Sequence, residues 1–318
     1  MFFHVIFLIF GFFLLIKGAD LFVDGASSTA QNFKVSKMLI GLTIVAFGTS
    51  APEFAVSMSA LKSGSADMVL GNVIGSNILN ILLILGIAAL INPIHIKDNT
   101  VRKELPLAFL ISSLLVVLFL DVNLAQGSVN KITRQDALVI LLFFSVFIYY
   151  LITLARQNKN EENKVETPKF SLWQSLLFVV LGIVGIIIGS DLVVDSASYI
   201  AKFIGVSDRV ISLTIIAFGT SLPELVTTIV SSKKGEQDLL VGNIIGSNIF
   251  NICVVLGIPV AIFGTLTPVS FQMMDLIMLI FSSLLILIFA STARKITKRE
   301  GLIMLICFAI YYTLVFII

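Results

Sequence analysis

Charge is what this sequence has least of. Only 13% of its 318 residues are Asp, Glu, Lys or Arg, against 58% that are hydrophobic, and the mean hydropathy is +1.06. So few charges cannot clothe a soluble globule of this length, and the chain reads as an all-α polytopic membrane protein with lipid as its main partner. The only two cysteines, Cys253 and Cys307, both lie inside apolar runs, which excludes a disulfide framework. The only histidines, His4 and His95, are far apart and lack the spacing of a zinc site. A net charge of +2, with basic residues scattered among loops, leaves no patch for nucleic acid. No Gly-Lys phosphate loop is present and no nucleophile–base pair stands out, so neither an ATP-driven pump nor an enzyme is expected, and no cofactor. No basic n-region or small-residue cleavage pattern precedes the first apolar run, so that segment is expected to be retained. No segment points to a particular protein partner.

Long apolar runs are what the chain does have. Crossing roughly 30 Å of hydrocarbon takes about 20 helical residues. Ten stretches qualify: 2–31, 37–61, 68–91, 104–121, 135–155, 171–202, 208–232, 238–264, 271–291 and 300–318. The first and sixth exceed one perpendicular crossing, which predicts strong tilt. One polar stretch, "RQNKNEENKVETPK" (Arg156–Lys169), divides the chain. The expected organisation is a first five-helix repeat over 1–155, a cytoplasmic linker over 156–170 and a second repeat over 171–318.

The halves match in sequence. Residue i aligns with residue i + 171 without a gap from Gly18 to Gly86, and "GNVIGSNILN" (71–80) matches "GNIIGSNIFN" (242–251) at eight of ten positions. Five crossings per half is an odd number, so the second half enters the membrane upside down. That predicts ten transmembrane helices in two inverted five-helix repeats, with a substrate site near the midplane. Fifteen basic residues fall in the loops after odd-numbered segments and five in the others. The positive-inside rule then puts both termini outside and the central linker in the cytoplasm. Lys17 falls within the first segment and is expected to pair with Asp20. The repeated Asp20, Asp24, Asp191 and Asp195 read as helix-end or gate contacts rather than ion ligands.

The most informative stretches are "AFGTSAPE" (46–53) and "AFGTSLPE" (217–224), each placing a carboxylate deep in an apolar run. An acid at the centre of a membrane helix costs about 3 kcal/mol on insertion scales and usually faces a cavity or an ion path. Pro52 and Pro223 are expected to free the carbonyls of Gly48 and Gly219, and Thr49, Ser50, Thr220 and Ser221 precede Glu53 and Glu224 by three or four residues, which on a continuing helix puts them on the face of the acids. A carboxylate, hydroxyls and unpaired carbonyls form an oxygen cage suited to Ca²⁺ or to Na⁺ of similar radius. Asn72, Ser76 and Asn80 follow one helix face, repeated by Asn243, Ser247 and Asn251, with Gly71 and Gly75 read as allowing close helix approach. Asn77 and Asn248 read as bridges between helices.

These motifs resemble the two α-repeats of the sodium/calcium exchangers in the calcium/cation antiporter superfamily, most closely the prokaryotic branch. The resemblance covers nearly the whole chain. It implies a secondary antiporter exchanging Na⁺ for Ca²⁺ by alternating access, with segments 1 and 6 sliding across a bundle of core helices. It further implies that Glu53 and Glu224 bind calcium with the carbonyls of Thr49 and Thr220. Sodium would share those acids with Ser50, Ser221, Ser76, Ser247 and the carbonyls of Ala46 and Ala217, and Asn80 and Asn251 would line the central position. Many members carry aspartate where this chain has Asn251, so sodium stoichiometry and any potassium requirement stay open. A calcium/proton exchanger is the alternative, and a cation channel a more distant one.

Overall fold

The computed structural model describes residues 1–121, 129–158, 167–205, 217–268 and 272–317. Every expected crossing is mainly helical where described, with interruptions at Ser50 in the second and at Thr220 and Ser221 in the seventh; for the seventh the description begins at Ala217, so 208–216 lie outside it. Among the described residues, six helices are long and apolar enough to span a membrane, and a seventh span is counted if a bent pair is taken as one. The chain forms two compact units, each drawing on both sequence halves: Met1–Pro52 with Ala155–Asn243, and Glu53–Leu154 with Ile244–Ile318.

The first unit is built on two 32-residue helices, α1 (Phe2–Phe33) and α7 (Leu172–Phe203). At 1.5 Å per residue each is about 48 Å long, well beyond the hydrocarbon thickness. Ser171 starts α7 with a capping box closed by Gln174, and Lys34, in the left-handed region, ends α1. The two helices pack antiparallel through glycine. A Cβ at Gly18 would come within 2.8 Å of the Ile186 backbone, and one at Gly182 within 2.6 Å of Phe22. Only hydrogen fits at such an approach. Phe22, Val23, Ala26, Val179, Ile186 and Val193 form the apolar core alongside. The unit also holds α2 (Lys37–Thr49), α8 (Ala217–Gly219) and α9 (Leu222–Lys234).

Asp20 pairs with Lys234 at 3.4 Å rather than with Lys17. Lys234 also holds Asp24 at 2.8 Å, and Lys169 holds Asp24 at 3.1 Å. The expected i, i+3 pair loses to a cation on another helix that reaches two carboxylates at once.

The second unit contains most of α3 (Ala51–Lys62), then α4 (Ala66–Ile91), β1 (Ile94–His95), α5 (Leu105–Phe119) and α6 (Arg134–Asn158). Most of α10 (Gln237–Phe263) follows, with α11 (Met273–Ala293), β2 (Lys295–Ile296) and α12 (Lys298–Ile317). β1 and β2 pair antiparallel, Ile94 opposite Ile296. Residues 171 apart meet within this unit: Ser283 donates to Ser112 at 3.3 Å, and Asn77 and Asn248 each donate to the other's backbone carbonyl at 3.3 and 3.4 Å. The sequence repeat is thus also a spatial one.

Candidate functional site

Both halves break where glycine and proline flank the hydroxyls. Ser50 sits at φ −86°, ψ 9° and Ser221 at φ −93°, ψ 6°, the sparsely populated bridge region at matching positions. α2 and α3 are bent by 46° across Ser50. The expectation that Thr49 and Ser50 share a face with Glu53 assumed an unbroken helix, and the bend removes that premise.

In the first unit, the Ser50 hydroxyl donates to Glu224 Oε1 at 3.0 Å, and Thr49 Oγ1 donates to Asn243 Oδ1 at 3.1 Å. Hydroxyls of the first break therefore engage the carboxylate of the second and the first asparagine of the second half's GNIIGSNIFN motif. Glu224 is 0% exposed and Ser221 1%. Ala46 is buried; its carbonyl accepts from the Ser50 amide at 3.0 Å and more distantly from the Thr49 hydroxyl. The backbone of Ala217 opens α8, and Thr220 is half-buried at its end. Ser190, on α7, donates to the Gly219 carbonyl at 2.9 Å. That carbonyl is one the proline was expected to free. Sequence reading missed Ser190, whose only signal is that its counterpart at i − 171 is Ala19, one of three differences in a ten-residue stretch that otherwise matches.

In the second unit, Glu53 is 1% exposed, and Asn72 Nδ2 donates both to its carbonyl and to Ser57 Oγ at 3.0 Å. Ser76 and Ser247 are buried. Asn80 and Asn251 each open a π-helical stretch, Asn80–Leu85 and Asn251–Leu256, a distortion frequent at functional sites. Asn80 Nδ2 donates to Asn248 Oδ1 at 3.0 Å and Asn251 Nδ2 to Asn77 Oδ1 at 3.4 Å. These paired amides fix both side chains. Among the described residues, neither Asn80 Oδ1 nor Asn251 Oδ1 has a hydrogen-bond partner, so each is a buried acceptor available to a cation. Asn77 and Asn248 bridge helices as expected.

Among the described residues a Cβ at Gly71 or Gly75 meets nothing within 4 Å, and 206–216, which include the counterparts of the residues around Gly41, lie outside them. Gly242, the counterpart of Gly71, makes a close approach: a Cβ there would come within 2.7 Å of the Met38 carbonyl.

Comparison with known proteins agrees with this arrangement. The family model described as "Sodium/calcium exchanger protein" matches residues 3–153 and 174–317. A putative antiporter, CaxA, of Alkalimonas amylolytica is 40% identical over 323 residues, covering 98% of both chains. The sodium/calcium exchanger MaX1 of Methanosarcina acetivorans is 32% identical over 350 residues, again covering 98% of each. Among solved structures, the sodium-calcium exchanger NCX_Mj soaked with Na⁺ and Sr²⁺ superimposes with a TM-score of 0.83 at 32% identity, over 96% of each chain. The fold is an all-α polytopic membrane fold, and the ten-helix inverted repeat agrees with it.

Proposed function

Since this chain belongs to the sodium/calcium exchanger family, we propose that Na⁺ entry drives Ca²⁺ export through it, with Glu53 and Glu224 as the shared carboxylates. The protein is a multi-pass membrane transporter, a cation/Ca²⁺ antiporter rather than an enzyme, and works without a cofactor. The sodium coupling, the direction and the residue roles are the finer reading.

One observation carries it. The Ser50 hydroxyl, three residues before Glu53 on the chain, donates to the buried carboxylate of Glu224. Side chains of the two repeated breaks thus already engage one another, which supports a single site fed by both. Two carboxylates balance one Ca²⁺ without remainder. The carbonyls of Thr49 and Thr220 complete the calcium shell. Sodium takes Ser50, Ser221, Ser76, Ser247 and the carbonyls of Ala46 and Ala217 alongside the same acids, with Asn80 and Asn251 lining the centre.

Competition for shared acids couples the ions without ATP. Bare carboxylates are too costly to carry through an occluded state, so the transporter changes sides only when ions neutralise them. On the same reading, repeats 1–155 and 171–318 flank a cytoplasmic linker, 156–170, and both termini lie outside.

Calcium flux into proteoliposomes, with sodium and proton gradients clamped separately, tests this. An outward sodium gradient should drive uptake at constant pH. Uptake driven only by protons would make the protein a calcium/proton exchanger. Flux without any counter-ion, far above carrier rates, would make it a channel.

A further inference from the structure

We propose that one face of α9 forms the inner half of the ion path, with Thr227, Thr228 and Ser231 passing a partly hydrated cation between Glu224 and the membrane face that carries Lys233 and Lys234. The inference rests on the antiporter reading in taking Glu224 as an ion ligand.

Thr227 and Thr228 are 0% exposed and Ser231 1%, yet among the described residues none of their three hydroxyls has a hydrogen-bond partner. Hydroxyls on membrane helices ordinarily satisfy themselves on the carbonyl four residues back. Thr29 does so with Gly25 at 2.7 Å, Ser112 with Ala108 at 3.0 Å and Thr153 with Tyr149 at 3.0 Å. The three on α9 do not. A buried hydroxyl without a partner is unfavourable, and three on one helix call for an occupant that supplies the missing bonds.

Their spacing gives the occupant a direction. Thr227, Thr228 and Ser231 follow Glu224 at i+3, i+4 and i+7, so all four fall within an arc of about 100° on one helix face. From Glu224 to Lys234 is about 15 Å at 1.5 Å per residue, half the roughly 30 Å of hydrocarbon. The polar face thus runs from the carboxylate to the membrane surface. At its end Lys234 ties α9 to Asp20 and Asp24 of α1, and the Ser27 hydroxyl of α1 donates to Glu236 at 2.9 Å. These polar contacts with α1 stand where such a path would open.

The first half lacks this face. The counterparts of Thr227, Thr228 and Ser231 are Val56, Ser57 and Ala60, and the Ser57 hydroxyl is engaged by Asn72 Nδ2 at 3.0 Å. If the hydroxyls served only the packing of the repeated fold, both halves would carry them. A hydroxyl face on one side alone lets a cation shed and regain water there by short steps.

Accessibility tests the path without relying on transport. In the full chain, reconstituted with Cys253 and Cys307 replaced by alanine, single cysteines are introduced as Thr228→Cys, Ser231→Cys, Val230→Cys off the face, and Lys233→Cys to mark the membrane side. A charged, membrane-impermeant thiosulfonate should modify the first two at least tenfold faster than Val230→Cys, from the side that reaches Lys233→Cys, and calcium should slow it. Rates equal to Val230→Cys, or reaction only from the opposite side, overturn the path. The expected labelling without any calcium flux supports the path and overturns the antiporter reading instead. In a second experiment, Thr227→Val, Thr228→Val and Ser231→Ala combined should slow exchange at least tenfold, while calcium binding to the solubilised protein changes less than twofold. Unaltered exchange overturns the proposal.

Discussion

Ser190 and Gly219 are joined by a 2.9 Å hydrogen bond from the hydroxyl of a long helix to a backbone carbonyl in the second helix break. Ala19 stands at the matching position of α1, so the first break lacks this tie. Ser190→Ala leaves a buried carbonyl without that partner, at a cost of about 1–3 kcal/mol. We expect a lower melting temperature in detergent together with a shift in the sodium concentration for half-maximal exchange. Unchanged values for both would reduce the bond to incidental contact.

Glu53→Gln and Glu224→Gln should each abolish calcium transport. Either leaves one formal negative charge facing a divalent ion in a buried site, where attraction is far less screened than in water. Radiolabelled calcium uptake by reconstituted variants measures it. Normal flux in both would make the two acids structural.

Ser50→Ala removes the hydroxyl that donates to Glu224 Oε1. Since Ser50 is also a proposed sodium ligand, its loss should weaken sodium dependence more than calcium affinity. Ser76→Ala and Ser247→Ala should act in the same sense, more mildly than either glutamine variant. Sodium titrations of calcium flux separate these outcomes.

Asn251→Asp replaces an amide donor by an acceptor. Asn77 Oδ1, which accepts from Asn251 Nδ2 in the native chain, would then face a carboxylate unless that carboxylate keeps its proton. Transport should persist but gain proton competition, so that the calcium concentration for half-maximal flux rises more steeply with falling pH than in the native protein. Parallel pH series on the two proteins check this.

Gly182→Ala should destabilise strongly, because its Cβ would press within 2.7 Å of the Phe22 backbone. Gly185→Ala, whose Cβ would come no nearer than 3.3 Å to Gly18, should destabilise less. Thermal unfolding of the two variants in one detergent gives the comparison.

Much of the fold was legible because a membrane simplifies the reading of a chain: hydropathy marks the crossings, and the 171-residue offset exposes the repeat. The breaks could be read from glycine and proline, and the buried carboxylates from their cost in hydrocarbon. Contacts across the breaks could not. Ser50 finds Glu224 174 residues along the chain, and no local pattern names that partner. The π-helical stretches at Asn80 and Asn251 left no mark in composition, since a wider helical turn uses the same residues as an ordinary one.

Ser112 touching Ser283, and Asn77 exchanging bonds with Asn248, mean that certain residues meet their own duplicate. Contacts of this kind belong to symmetric dimers, where a patch must be complementary to itself. Serine and asparagine satisfy that demand because each both gives and accepts a hydrogen bond; a lone lysine or aspartate does not. A change at such a position in one half is judged at once by its unchanged twin. This chain therefore keeps, within a single polypeptide, the selection rule of a homodimer, and its axis positions can drift only toward residues able to face their own kind.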